Sequence, residues 1–394
     1  MNPSVKLNHG LHLAYCTNIH RGVNWQETFA SLQEHTLAVR ERVCPEAPYA
    51  IGLRLSDRAS YELSNPSTLS AFRKWLDLHH CYVFTINGFP FGRFHGGPVK
   101  EKVYSPDWTS MERVAYTNRL FDLLAQLVPD GIEGSVSTVP GSFKEFITTP
   151  DQVRTIRNNI FLCVEHIARL SERSGRKLHL GLEPEPLCLL ETTNETVHFF
   201  DRLRAEHQRD PRLYEYLGIN YDACHLAVEF EDPYTAITQL QQHQIKISKL
   251  HLSSALRVTP TPEARDALAS FVDDVYLHQV VSRDENDDLT RFKDLPAALA
   301  QESGEEWRIH FHIPLHSPPT EIFSNTTDHL LGLMDILGQN PGLCSHLEME
   351  TYTWEVMPPE MKNRSVVEQL VGEYDWCLQR LAEKGLVHLA TSNG

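Results

Sequence analysis

The 394-residue chain lacks most of the signatures that identify a function directly. No stretch approaches the ~18–20 consecutive apolar residues of a membrane span, so no membrane insertion is expected. Met1 to Gly10 has neither the basic nor the apolar segment of a signal peptide. No G-x-G-x-x-G opens the first strand-to-helix turn, and no G-x-x-x-x-G-K-[ST] phosphate loop occurs, which argues against nucleotide-binding folds. The eight cysteines are scattered without a C-x-x-C pair, as expected of reduced thiols, and a cytoplasmic location follows. Positive charge is scarce: 36 Lys and Arg face 52 Asp and Glu, for a net charge of −16. A broad grip on nucleic-acid phosphates is therefore not expected. The apolar share, 41%, is ordinary for a globular protein and excludes disorder. The 21 histidines are the unusual presence, because histidine is the commonest metal ligand.

Short β-rich runs recur along the chain, each followed by a helical pattern. They are Leu11–Cys16, Ala50–Leu55, Tyr82–Asn87, Gly134–Val139, Leu178–Glu183, Leu217–Asp222, Ile247–Leu252, Arg308–Ile313 and His346–Thr351. Several are apolar on both faces, as in parallel strands covered by helices. Helix starts are marked by Asn24 with Glu27, by Thr109 with Glu112, and by Asn65-Pro66, Thr149-Pro150 and Asp232-Pro233. Eight or nine β/α units in series predict an α/β fold, a (β/α)8 TIM barrel. The spacing is regular up to Leu252 and then lengthens, which places a long insertion before the last strand, at approximately 255–345. A hairpin of Val275–Val281 with Leu289–Phe292 is expected there. With no separating linker, residues 1–394 read as one barrel domain.

Barrel active sites lie at the C-terminal strand ends. Four late runs end in polar residues: Leu182-Glu183-Pro184-Glu185, Asp222-Ala223-Cys224-His225, Lys249-Leu250-His251-Leu252 and Glu348-Met349-Glu350-Thr351. Carboxylates and an imidazole on successive strand ends make a mixed oxygen and nitrogen site for a divalent ion (Mn, Mg, Zn or Co). Taken singly, Glu183 can be a cap, Asp222 and His225 a turn, and His251 a satisfied core histidine. Glu348 and Glu350 share a strand face, so either can point inward. His310 and His312 also share a face, which either completes the metal site, contacts substrate or lies outward. Asn87 and His95 flank a loop rich in glycine and aromatic residues after the third run, and Tyr15, Asn18 and His20 follow the first. Arg54 ends the second run as an anion contact or a buried ion pair.

These motifs resemble the metal sites of the xylose-isomerase-like barrel superfamily, which includes sugar isomerases, ketose 3-epimerases and nucleases of the endonuclease IV type. Longer strings, Ala14-Tyr15-Cys16-Thr17-Asn18-Ile19-His20, Asn87-Gly88-Phe89-Pro90, Leu182-Glu183-Pro184-Glu185-Pro186 and Glu350-Thr351-Tyr352-Thr353-Trp354, resemble EboE-type metabolite traffic proteins over nearly the whole chain. The resemblance implies Glu183, Asp222, His251 and Glu350 as metal ligands, Glu183 and Glu350 as acid and base, and His225 at the substrate. Asn87, His95, Arg54, Glu185, His312 and Glu348 are the further candidate substrate contacts. The extra run with His310 and His312 departs from the pattern and leaves the closing strand open. The expected function is a metal-dependent isomerase or epimerase acting on a sugar, cyclitol or related polyol. The alternatives are a metabolite carrier of the same fold and, disfavoured by the charge, a phosphodiesterase.

Overall fold

A computed structural model describes residues 5–301, 304–353 and 364–389; Trp354 lies outside them. A two-stranded ribbon joins the chain ends, β1 (Val5–Leu7) against β15 (Val387–Leu389). Between them stand the parallel barrel strands β2 (His12–Tyr15), β3 (Tyr49–Arg54), β4 (Cys81–Asn87), β5 (Gly134–Thr138), β6 (Leu178–Leu182), β7 (Leu217–Asp222) and β8 (Lys246–Leu252). The eighth is β14 (His346–Met349), which pairs in parallel with both β8 and β2. A single bridge, Cys16 to Gly52, joins β2 to β3 and brings the sheet round on itself. The expected (β/α)8 barrel is thus present, and His346–Met349 is the strand that closes it.

The run Arg308–Ile313 belongs elsewhere. It lies in β12 (Glu306–His312), in an antiparallel sheet ordered β11-β10-β12-β9-β13. The others are β9 (Ala255–Val258), β10 (Val280–Arg283), β11 (Leu289–Phe292) and β13 (Phe323–Asn325). The hairpin forms between β10 and β11, but its first strand starts at Val280, because Asp273 turns the preceding chain by accepting from the Val275 and Tyr276 amides at 2.6 and 2.9 Å. Trp307, Ile309 and Phe311 of β12 pack with Leu256, Leu268 and Val280 into a core separate from that of the barrel. Helix Thr327–Gln339 then returns the chain to the outer ring, packing on helices Pro233–Gln242 and Val366–Glu383.

Most helix starts follow the sequence. Asn24, Asn65 and Asp232 accept backbone amides as N-caps, and Gln152 reaches back to the Thr149 amide at 2.9 Å. Helix Met111–Leu127 is capped by Ser110 and not by Thr109, whose amide and hydroxyl are taken by Asp107. Gly175 ends the long helix Pro150–Ser174 at φ 70°, a left-handed turn that glycine adopts without strain. All eight cysteines are free. No helix among the described residues is long and apolar enough to cross a membrane.

Candidate metal centre

The register of β6, β7, β8 and β14 brings Glu183, Asp222, His251 and Glu350 to one point at the C-terminal mouth. One ligand atom from each lies within 4.8 Å of all the others, and all four residues are buried. His251 is at the centre. Its Nδ1 lies 3.1 Å from Glu183 Oε1, 3.1 Å from Asp222 Oδ2 and 3.0 Å from Glu350 Oε2. A nitrogen carries at most one proton, so three carboxylates around it cannot all be satisfied by hydrogen bonds. On the other face Nε2 lies 2.8 Å from Glu348 Oε2, an acceptor, so Nε2 donates there, and a cation among the acids would take the Nδ1 lone pair. Glu183 Oε2 is buried with no hydrogen-bond partner. Three converging carboxylates, a lone pair aimed among them and an orphaned oxygen fit a divalent cation.

The surroundings fix each group. Asp222 caps helix Ala223–Val228: its Oδ1 accepts from the His225 amide at 3.0 Å and from Ser253 Oγ at 2.7 Å, leaving Oδ2 toward His251. Glu350 Oε1 accepts from Asn18 Nδ2 at 2.7 Å and from Asn87 Nδ2 at 3.2 Å, leaving Oε2 inward. Burial alone would lower the His251 pKa, but the Glu350 and Glu183 carboxylates outweigh it and hold it well above the ordinary value. Asp222 shows the mirror case: burial raises it, while His225, His251 and His312 bring it well below.

Glu348 does not reach the cavity, contrary to its place among the substrate contacts. It points the same way as Glu350 but one layer deeper, where Lys249 Nζ meets its Oε2 at 2.6 Å. Space for it exists because position 52 is glycine: a Cβ there would lie 2.0 Å from Glu348 Oε1. Burial would raise this carboxyl, yet Lys249 and His251 hold it at about 2. Lys249 was absent from the sequence-level candidates, although a lysine inside an apolar strand was its visible signal.

Arg54, another expected substrate contact, is not among the residues lining the cavity either. Its guanidinium donates to the carbonyls of Gly22 at 2.6 Å, Pro90 at 3.3 Å and Gly92, and so ties loops together. His95 is held between the Asn18 carbonyl and the Tyr276 hydroxyl behind the cavity wall. Of the first-strand group, Asn18 reaches the site, whereas Tyr15 pairs with His20 and Thr36.

The cavity over the acid cluster is lined by Asn18, Asn87, Glu183, Glu185, His225 and Glu350, with His310 at its side. Phe89, Tyr104, Tyr276 and Tyr352 form an aromatic wall. Tyr352 follows Glu350 by two residues, whereas Tyr104 and Tyr276 come from a loop and from the insertion, with no spacing that links them to the strand ends. Glu185 accepts from Tyr104 Oη at 2.6 Å; burial, with Glu183 nearby, holds its carboxyl well above the usual range. His225 Nδ1 lies 3.0 Å from the Pro184 carbonyl, and His312 Nδ1 lies 2.9 Å from the Glu350 carbonyl.

No protein-family model and no curated protein matches the sequence. Solved structures do. An L-ribulose 3-epimerase structure aligns at TM-score 0.50 with 12% identity, over 95% of this chain and 96% of that one. A xylose isomerase-like TIM barrel protein from Mycobacterium smegmatis, in complex with magnesium, aligns at TM-score 0.50 with 13% identity, over 95% and 97%. At these identities the likeness establishes the fold alone, a (β/α)8 barrel.

Proposed function

We propose that the chain is a metal-dependent sugar or cyclitol isomerase or epimerase, with Glu183, Asp222, His251 and Glu350 as ligands. The observation that carries this reading is the convergence of three carboxylate oxygens, each 3.0–3.1 Å away, on His251 Nδ1. The solved epimerase of the same fold supports it. A divalent cation bound there supplies Lewis-acid polarisation of a substrate carbonyl. Glu183 follows β6 and Glu350 follows β14, with β7 and β8 between them in the sheet, so the two carboxylates flank the cavity. One removes a proton beside the carbonyl and the other returns it, with His225 and Asn87 holding substrate oxygens. Apolar and aromatic walls exclude water and keep a carboxylate basic.

The substrate is uncharged in this reading. Among the described residues, Lys100 is the cation lining the cavity, and it is held by Asp294 at 2.7 Å and by the Asp273 carbonyl at 2.7 Å. The insertion works with the barrel as one unit, because His310 and Tyr276 complete the cavity wall. The resemblance to EboE-type proteins supports a role in small-metabolite biosynthesis or traffic. The test is elemental analysis of Glu183→Gln and Asp222→Asn, together with exchange of solvent deuterium into a panel of ketoses and cyclitol ketones. Loss of metal and of exchange is expected. Full metal content in either variant would remove the reading.

A further inference from the structure

At the opposite end of the barrel, the starts of β6 and β8 and the segment leading into β14 border a second cleft, of about 660 Å³. That volume is within the range of small-molecule sites. His179 and Ser248 lie buried on its inner wall, and the side-chain amides of Gln241, Gln244 and Asn340 stand exposed at its rim. The cleft is remote from the metal centre. Lys246 on its wall precedes His251 by five residues of β8, roughly 16 Å at ~3.3 Å per residue. Among the described residues the wall carries one carboxylate, Glu133, and one ammonium, Lys246, which meet at 3.3 Å. It therefore presents no unmatched charge to an ionic ligand.

Directly beside His179 stands a second buried imidazole, His346, with the ring centroids 5.3 Å apart. Burial brings His179 down to about 4 and His346 well below the ordinary value, so both rings are neutral, each with one N–H and one lone pair. His179 and Lys246 hold Glu133 at about 2, so that carboxylate is ionised and only accepts. His179 Nε2, 3.4 Å from it, therefore carries the proton, and Nδ1 offers a lone pair that meets no donor. His346 Nδ1 lies 2.7 Å from Ser135 Oγ, and its Nε2 has no partner either. Ser135 Oγ also touches Thr85 Oγ1 at 2.7 Å, an arrangement compatible with either tautomer of His346. A hydroxyl both donates and accepts, so it satisfies the His179 lone pair and suits His346 in either form. A carboxylate has no proton for His179 Nδ1.

We propose that this cleft binds a neutral, polyhydroxylated molecule of monosaccharide or cyclitol size, with one hydroxyl at His179 and His346 and others on the amides of Gln241, Gln244 and Asn340. The amides suit such a ligand because each offers a donor and an acceptor at once, as a row of hydroxyls does. The inner wall is fixed in advance: Ser248 Oγ donates to the Leu180 carbonyl at 3.1 Å, and Glu133 holds the His179 ring. A binding site whose polar groups are already oriented loses little freedom when it is filled.

The site does not depend on the reading of the metal centre. The test is hydrogen exchange, read peptide by peptide, on the full-length protein titrated with myo-inositol, with inorganic phosphate as the charged probe. Saturable protection by myo-inositol is expected over residues 241–248 and 340–346, and it should persist in Glu183→Gln, which lacks a ligand of the metal centre. His179→Phe should weaken the apparent affinity there by about tenfold, the worth of a lost hydrogen bond to a buried partner. Gln244→Gly should weaken it as well. Gln244 has φ 53°, which glycine adopts without strain, so this variant keeps the test open if His179→Phe folds poorly. Protection by phosphate and not by myo-inositol would overturn the assignment of a neutral ligand. Absence of protection over these segments with either probe, or protection that neither variant weakens, would overturn the site.

Discussion

Replacing Glu348 by glutamine probes the layer beneath the site. Glu348 is fully buried and accepts from two cationic or proton-rich groups, Lys249 Nζ at 2.6 Å and His251 Nε2 at 2.8 Å. The neutral amide keeps the volume and one acceptor oxygen but removes the negative charge opposite Lys249, whose other partner is the neutral Ser137 Oγ at 3.0 Å. Breaking a buried pair by removing one partner costs about 3–5 kcal/mol, because the remaining charge has lost its counter-charge. Removing the carboxylate behind a metal-binding histidine typically weakens metal affinity by about 10–100-fold. Two assays separate the effects: denaturant unfolding of the metal-free protein for stability, and competition with a chromophoric chelator for affinity. The double variant Glu348→Gln/Lys249→Met should recover much of the stability, since neither charge is then stranded, but not the metal affinity. If Glu348→Gln bound metal as tightly as the wild type, the assignment of Glu348 as the group that orients His251 would fail. Unchanged unfolding would refute the argument from the buried charge.

Three further outcomes follow from the packing. Gly52→Ala puts a Cβ 2.0 Å from Glu348 Oε1 and 2.7 Å from the Tyr15 carbonyl; a loss of about 1–3 kcal/mol with weakened metal binding is expected in the same assays, and wild-type behaviour would contradict the observed layering. Glu373 is buried behind Thr351, whose hydroxyl donates to it at 2.6 Å, and burial raises its carboxyl to about 7. A carboxyl raised in the folded state is fully tolerated below its unfolded value near 4.5 and costs stability as pH rises through 7, by about 3 kcal/mol at most. Glu373→Gln should remove that decline between pH 4.5 and 7, as read from unfolding curves at several pH values; an unchanged pH profile would exclude Glu373 as its source. Arg54→Met removes donors to the carbonyls of Gly22, Pro90 and Gly92, so hydrogen exchange should rise in those loops while metal stoichiometry stays at the wild-type value. A selective loss of affinity for anionic ligands would instead restore Arg54 as a substrate contact.

Period and strand-end chemistry made the barrel legible in the sequence, together with three of the four side chains that converge at its mouth. The buried β/α runs matched strands to within a residue or two, and Glu183, Asp222 and His251 fell where a polar residue broke an apolar run. Depth along a strand was not legible. Glu348 and Glu350 share a face, so alternation cannot tell the mouth from the layer below; only the missing Cβ of Gly52 and the charge of Lys249 decide it. The closing strand was ambiguous for a related reason. Arg308–Ile313 has the apolar character of a barrel strand because it is buried in a second core, and burial has the same pattern in both. Tyr104 lies far along the chain from Tyr276 and Gln279, and only the folded insertion brings them together.

The central claim is that Glu183, Asp222, His251 and Glu350 bind a metal. The direct measurement is anomalous diffraction from crystals of the full chain grown with Mn²⁺ or Zn²⁺. The account predicts a strong peak within bonding distance of His251 Nδ1 and of one carboxylate oxygen each from Glu183, Asp222 and Glu350, with Glu348 outside the coordination shell. No peak at the barrel mouth at saturating metal, or a peak ligated by Glu348 in place of Glu350, would contradict it.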